Sequence, residues 1–201
     1  DITVTNDLTI AVNTTLDVGS NRGITVGGNF ANSGTFTDQQ GTVTFNGTGT
    51  LTSNASELYN VTTSGTGTLT LGDALTIMND LTIGANTTLD VSGGNYSIGV
   101  KGNWSNSGTF TPGSGTVTFN GSAAQTISGT NTFYDLTINN THLSSKVSAN
   151  GSSLTVQDDL LISDGIFESA SDYVDVTISA GTTLELTGNI TVSGDWSNSG
   201  T

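Results

Sequence analysis

The decapeptide GNFANSGTFT at Gly28–Thr37 returns as GNWSNSGTFT at Gly102–Thr111, and as GDWSNSGT at Gly194–Thr201. The tetrapeptide DLTI at Asp7–Ile10 is likewise repeated at Asp80–Ile83. Repetition at this scale decides the architecture before any single motif does, because each copy is one structural unit that buries its apolar face against its neighbours. The chain is therefore a repeat protein.

The spacing between the copies changes once along the chain. DLTI and its later variant DLLI, which starts at Asp159, recur at nearly equal intervals. The stretch ANTTLDV from Ala85 returns as AGTTLEL only from Ala180, so the register has jumped by about 16 residues, the length of one short coil. The inserted stretch alternates apolar and polar residues like its surroundings. We therefore expect one whole extra coil of a solenoid near 163–178, and not a loop.

Alternation at period two predicts an all-β chain. Segments such as Thr42–Phe45 and Leu81–Ile83 alternate threonine with β-branched, aromatic or leucine side chains, and no segment has apolar residues at helical spacing. The centres of apolar segments are evenly spaced, at Leu81, Ile98, Val117, Leu136 and Leu154. The sequence thus predicts a parallel β-helix (β-solenoid) of about ten coils of roughly 16–20 residues, with about four coils per long repeat.

A single continuous solenoid segment over 1–201 is the domain organisation that these spacings predict. Its long repeats are 7–79, 80–158 and 159–201, the last containing the extra coil. The sequence starts and stops in mid-pattern, so we expect it to be excised from or processed out of a longer repetitive protein.

Composition narrows the classes of partner. The formal net charge of −14 disfavours nucleic acid and anionic membrane surfaces, which are bound through basic footprints. The hydrophobic fraction of 33% is low for a globular domain, but a narrow solenoid needs only one inward row of side chains on each face. The absence of cysteine, taken together with the repetition, suits prokaryotic surface proteins.

Catalytic groups are scarce. His142 is the only histidine, and Arg22, Lys101 and Lys146 are the only cationic side chains. A nucleophile, base and orienting group would all have to be built around that one histidine. We expect no enzyme, no catalytic residue and no organic cofactor.

Five aspartates are candidate oxygen ligands for Ca²⁺: Asp158, Asp159, Asp164, Asp172 and Asp175. They do not follow the spacing of an EF-hand loop or of a glycine-rich nonapeptide. The alternative is that they are solvated carboxylates in turns.

Asn-X-Ser/Thr sequons mark candidate glycosylation sites. They are Asn13, Asn46, Asn54, Asn60, Asn86, Asn95, Asn103, Asn120, Asn139, Asn150 and Asn189. Because serine and threonine are so common in this chain, composition alone also generates such sequons.

Aromatic residues recur at fixed repeat positions. Phe30, Trp104 and Trp196 occupy one such position, next to small residues, which favours packing in the core over an exposed row that stacks on sugars. Thr-X-Thr pairs such as Thr42 and Thr44 raise a further possibility, an ice-binding threonine ladder, although threonine is also simply a good β-former.

The segments Asn103–Gly121, Gln125–Ile127 and Phe133–Asn140 resemble a repeat found in very large secreted proteins of bacteria and archaea. Those proteins are β-solenoid surface proteins, adhesin-like or filament-forming. The resemblance covers the whole chain, most clearly 23–47 and 97–140. It implies a right-handed parallel β-helix, an extracellular location at the cell surface and a structural or adhesive role, but carries no functional residues.

We therefore expect a structural extracellular protein, a subunit or segment of a self-associating surface filament. Its partner would be itself, as a homopolymer or as continuing coils of the same chain, since open sheet edges at both ends need covering. The alternatives are an adhesin stalk that binds glycans or another cell surface, and the ice-binding solenoid. We expect neither nucleic-acid binding nor membrane insertion.

Overall fold

Short strands make up the regular structure of the computed structural model, which describes residues 1–142, 146–149, 151–188 and 190–201. No helix occurs in these ranges, and so none that is long and apolar enough to cross a bilayer. In chain order the strands are β1 (Ile2–Val4), β2 (Leu8–Ile10), β3 (Thr15–Asp17), β4 (Ile24–Val26), β5 (Phe30–Asn32), β6 (Thr35–Thr37), β7 (Thr42–Phe45), β8 (Gly49–Thr52), β9 (Asn60–Thr63), β10 (Thr68–Leu71), β11 (Leu75–Ile77), β12 (Leu81–Ile83), β13 (Thr88–Asp90), β14 (Ile98–Val100), β15 (Trp104–Asn106), β16 (Thr109–Thr111), β17 (Thr116–Phe119), β18 (Gln125–Phe133), β19 (Asp135–Asn139), β20 (Lys146–Ser148), β21 (Ser153–Val156), β22 (Asp159–Asp164), β23 (Ile166–Ser169), β24 (Asp175–Ile178), β25 (Thr183–Leu186) and β26 (Trp196–Asn198).

The strands stack in parallel on three faces of a solenoid. Face 1 has one strand from each of ten coils, in the order β1, β4, β7, β9, β12, β15, β18, β20, β23 and β25. We number the coils 1 to 10 by these strands. Face 2 runs β2, β5, β8, β10, β13, β16, and continues where the second half of β18 pairs with β21. Face 3 starts with a separate two-stranded sheet, β3 and β6, and continues as β11, β14, β17, β19, β22, β24 and β26. Between these two sheets, Leu58 of coil 3 forms a single bridge with Ile77 of β11. The predicted all-β parallel solenoid is confirmed.

The length of a coil varies more than the sequence spacing suggests. Leu160 pairs with Val176, so the chain between these two residues winds round the axis once. Leu136 pairs with Leu160 across the preceding coil, which is half as long again. The upper end of the expected range of coil lengths is therefore too short, because corners take up extra residues while the strands keep their register.

The core is a single column of inward side chains. Burial alternates along the strands, as in β7, where Val43 and Phe45 are buried between half-buried threonines. In-register pairing places apolar residues directly above one another, for example Ile24 below Val43 and Val43 below Val61. Each coil thus buries its apolar side chains mainly against the coils before and after it.

The long repeat does not contain a whole number of coils. The DLTI leucines show this: Leu8 lies on face 2 of coil 1, Leu81 on face 1 of coil 5 and Leu160 on face 3 of coil 8. Each step is three coils plus two strands, one strand short of the expected four coils. The same sequence motif therefore lies on a different face in each copy.

An aromatic cluster fills the middle of the solenoid. Trp104 is 0% exposed, and its ring packs edge-to-face with Phe110, Phe119 and Phe133 at centroid distances of 5.0, 6.3 and 5.2 Å. Its indole Nε1 donates a hydrogen bond of 2.7 Å to Asn131 Oδ1. Such edge-to-face packing is more favourable than the buried area alone.

Replacing Trp104 with alanine tests this core. We expect Trp104→Ala to lower the free energy of unfolding by about 3–5 kcal/mol, because it leaves a cavity among three aromatic rings and removes the hydrogen-bond donor to Asn131. Urea unfolding followed by circular dichroism at low protein concentration measures the loss. Trp196→Ala is the matched control, since that ring is 49% exposed. Equal losses in the two variants would contradict the assigned packing.

Candidate functional site

Three of the five predicted calcium ligands come together. One carboxylate oxygen from each of Asp158, Asp159 and Asp175 lies within 4.8 Å of the others. Asp164 and Asp172 do not join this group among the described residues, and Asp172 Oδ1 instead accepts the backbone N–H of Thr191 at 2.6 Å. Three carboxylates could offer oxygen ligands to a divalent cation, but the five-residue site expected from the sequence does not form.

The clustered aspartates belong to a ladder on face 3. Asp135, Asp159, Asp175 and Asp195 each precede the first inward residue of a strand on face 3, and they lie in register on successive coils. The backbone N–H of Asp159 donates to Asp135 Oδ1 at 3.2 Å, and that of Asp195 to Asp175 Oδ1 at 2.5 Å. The Asp135 carboxylate thus links coil 7 to coil 8, and the Asp175 carboxylate links coil 9 to coil 10. The sequence analysis did not single out Asp135 or Asp195, although the recurring Asp-apolar pair before a strand could have identified them.

Electrostatic repulsion accompanies this ladder. Burial raises the pKa of Asp159, and the neighbouring carboxylates of Asp158, Asp135 and Asp175 raise it further. A hydrogen bond from the Tyr134 hydroxyl to Asp158, and the charge of Asp158, raise the pKa of Tyr134. The ion pairs of the described residues involve Lys101 and Lys146, and none of them includes this cluster.

The raised pKa of Asp159 predicts a pH dependence. The folded chain holds this proton more tightly than the unfolded chain, so the carboxylate costs stability above its folded pKa and the cost disappears below the ordinary value of 3.8. We expect Asp159→Asn to raise the urea midpoint at pH 7 and to have no effect at about pH 3. Asp164→Asn, in the same strand but outside the cluster, should show no such gain. A midpoint lowered at pH 7 would refute the repulsion.

A second charged group connects the last three coils. Lys146 Nζ of coil 8 lies 3.4 Å from Glu168 Oε1 of coil 9 and 2.5 Å from Glu185 Oε2 of coil 10. Glu185, and to a smaller extent Glu168, raise the pKa of Lys146. A hydrogen bond from the Ser148 hydroxyl is the main cause that lowers the pKa of Glu168. Lys146 thus forms ion pairs with the next two coils.

The remaining cationic side chains and the histidine lie on different coils. Lys101 pairs with Glu57 at 3.7 Å and lies 3.1 Å from Met78 Sδ. Arg22 lines a shallow groove, open to solvent, with Asp17, Val18 and Ser20. His142 is an exposed residue in a corner.

The sequons divide into two groups by exposure. Six asparagines are exposed: Asn13, Asn46, Asn54, Asn86, Asn95 and Asn139. Three are half-buried, Asn60, Asn103 and Asn120. Asn60 Oδ1 accepts a hydrogen bond from Asn79, Asn103 donates to Asp80, and Asn120 Oδ1 is buried without a partner among the described residues. A glycan therefore has space on the first group only. Asn150 and Asn189 lie outside the described residues.

Exposed large hydrophobic side chains occur only at the two ends of the described solenoid. Ile2 and Val12 of coil 1 are 39% and 65% exposed, and Leu186 and Trp196 of coil 10 are 48% and 49% exposed. β1 and β25 are the terminal strands of the face-1 sheet, and β26 is the terminal strand of face 3. We call these surfaces the first-coil edge (β1–β3) and the last-coil edge (β25, 190–192 and β26). Thr201 bonds to Thr182 and Leu184 on the edge of β25, and the rest of both edges is unpaired in the described chain. Unpaired strand edges beside apolar side chains have the chemistry of an association site.

The predicted aromatic core is only partly as expected. Phe30 and Trp104 are 0% exposed, each beneath a further coil, whereas Trp196 has no coil above it in the described chain. The aromatic side chain at this repeat position is thus buried in the middle of the solenoid and exposed at the last-coil edge.

Comparison with protein-family models, with curated proteins and with solved structures yields no match for this chain.

Proposed function

We propose that this chain is a structural segment of an extracellular surface filament, which extends when further coils stack on its two edges. The observation that carries the proposal is the confinement of exposed large apolar side chains to the first and last coils of the described solenoid. Neighbours along the axis would cover Ile2, Leu186 and Trp196, whereas Val12 lies in the corner between β2 and β3. A parallel strand added at either edge would also satisfy unpaired backbone groups.

The sides of the solenoid favour axial over lateral contact. Their outward positions are mostly threonine, serine and asparagine, and the net charge of −14 makes parallel bodies repel one another. When one end of a solenoid associates with the opposite end of the next, the contact is heterologous. Stacking along one axis does not close into a ring, and such contacts generate filaments. The extracellular location is supported by the cysteine-free, acidic, threonine-rich composition and by the resemblance to secreted solenoids.

The glycan-binding alternative has weaker support. A sugar-stacking platform needs exposed aromatic rings, and Trp104 lies wholly inside the solenoid. Trp196 is accessible, but it lies on the last-coil edge, where axial stacking would cover it.

Axial association can be measured directly on the chain 1–201. We expect analytical ultracentrifugation at rising concentration to show oligomers, and electron microscopy to show unbranched filaments one solenoid wide. Leu186→Asp, on the last-coil edge, should weaken association at least tenfold, because it places a charge in the apolar contact. Thr177→Asp on a lateral face is the matched control and should associate as the unaltered chain does. Monomers alone at high concentration would overturn the proposal.

A second candidate function rests on the threonines of face 1. Thr3, Thr25, Thr44, Thr62 and Thr82 lie in register on five consecutive coils. Such a regular hydroxyl row could order surface water in the manner of an ice-binding protein. This function predicts thermal hysteresis that is lost in Thr44→Lys and kept in Thr177→Lys. Freezing behaviour equal to that of a similarly acidic protein without threonine rows would exclude it.

A further inference from the structure

Two asparagine-glycine pairs occupy the same repeat position on different coils. Asn46 with Gly47 follows β7 in coil 3, and Asn120 with Gly121 follows β17 in coil 6. Both strands read Thr-Val-Thr-Phe, so the two pairs have nearly the same local sequence. Asparagine is a thermolabile residue, and a following glycine makes it more so, because the next backbone nitrogen meets no Cβ as it approaches the side-chain amide.

The glycine of each pair is required by the preceding coil. A Cβ on Gly47 would clash with the carbonyl oxygen of Gly27, and a Cβ on Gly121 would clash with that of Lys101. A larger residue at either position would therefore displace the backbone of a neighbouring coil. Close stacking of the coils thus keeps the labile asparagine-glycine pair in both places.

Gln125 protects the pair in coil 6. Gly121 is buried, and its N–H donates to Gln125 Oε1 at 3.0 Å. The Gln125 side chain is buried too, and its Nε2 donates to the carbonyls of Val100 at 3.0 Å and Gly102 at 2.6 Å. The nitrogen that would attack Asn120 is therefore hydrogen-bonded and shielded from any base in the solvent that could take its proton.

The pair in coil 3 has no such protection. Asn46 is exposed and Gly47 is half-buried. Within the part of the chain that the structure describes, neither the Gly47 N–H nor the Asn46 side chain has a hydrogen-bond partner. Solvent thus reaches both the attacking nitrogen and the amide that it would attack.

One residue position accounts for this difference. Leu51 and Ile127 are equivalent, because each pairs with the recurring aromatic residue of the preceding coil. The residues two positions before them are Gly49 and Gln125. A glycine offers no side chain to accept the Gly47 N–H, and a Cβ at this position in coil 3 would clash with the backbone of coil 2.

We propose that Asn46 is a site of self-modification, at which the folded chain deamidates without an enzyme. The Gly47 nitrogen loses its proton to a solvent base and attacks Asn46 Cγ, in an intramolecular step that closes a succinimide ring. The Cγ–Nδ2 bond breaks, and ammonia leaves with a proton from the solvent. Water then opens the ring at either carbonyl, which gives aspartate by one route and isoaspartate by the other.

The product alters the corner between β7 and β8. It adds one negative charge at an exposed position, and the isoaspartyl form lengthens the main chain by one carbon next to the bond from the Asn46 N–H to the Val26 carbonyl. It also removes an exposed sequon, because neither acid has an amide nitrogen to carry a glycan. The reaction takes place within one chain, so this inference does not depend on the proposed axial assembly.

Timed incubation of the chain 1–201 at neutral pH, followed by peptide mass spectrometry, tests the proposal site by site. We expect deamidation at Asn46 to be at least tenfold faster than at Asn120, with isoaspartate among the products as the signature of the ring. In urea, where the hydrogen bond to Gln125 is lost, the two rates should become nearly equal. Asn150, which begins a third asparagine-glycine pair, lies outside the described residues and is measured as a separate peptide.

Gln125→Leu tests the protection directly, because it removes the acceptor of the Gly121 N–H. We expect deamidation at Asn120 to rise at least fivefold in this variant while the rate at Asn46 stays the same. Thr126→Val, at the next and outward position, is the matched control and should change neither rate. An unchanged rate at Asn120 in a folded Gln125→Leu chain would refute the protection.

The unaltered chain decides the proposal even where a variant fails to fold. Equal rates at Asn46 and Asn120 in the folded chain would overturn it. So would an Asn46 that stays intact in the folded chain for as long as the same residue takes to react in urea.

Discussion

Parallel pairing of each coil with the next is the constraint on which the rest of this structure depends. Because neighbouring strands run in the same direction and in register, an inward residue always meets an inward residue of the next coil. The narrow core then needs few apolar side chains, and polar groups such as Asn106 and Asp175 strengthen the stack by bonding one coil onward. Stability accumulates coil by coil.

Much of this architecture could be predicted from the sequence. An insertion that preserves the alternation of apolar and polar residues fits a solenoid, because only a whole turn can be added without exposing the inward row of side chains. The chain between Leu160 and Val176 winds round the axis once. The lengths of the longer coils could not be predicted, since corners project into solvent and tolerate extra residues. For the same reason, the spacing of apolar segments along the sequence does not reveal that each long repeat has one strand fewer than four whole coils.

The candidate site was harder to predict than the fold. Spacing along the chain does not show which aspartates become neighbours across coils, so Asp135 and Asp195 were missed while Asp164 and Asp172 were included. Repeat position also does not report exposure: Trp104 and Trp196 are equivalent in sequence, yet one is core and the other surface. That difference depends on whether a coil lies above the residue, which is a property of the stack and not of the motif.

The mismatch between the long repeat and a three-faced solenoid has a mechanical consequence. Each successive repeat turns its motif to another face, so equivalent elements follow a three-fold screw around the axis, as Phe30, Trp104 and Trp196 do on faces 2, 1 and 3. In a long filament built this way, the bulky aromatic clusters do not accumulate on one side. Its bending stiffness would then be nearly the same in every direction, and no side would carry a continuous stripe of one motif.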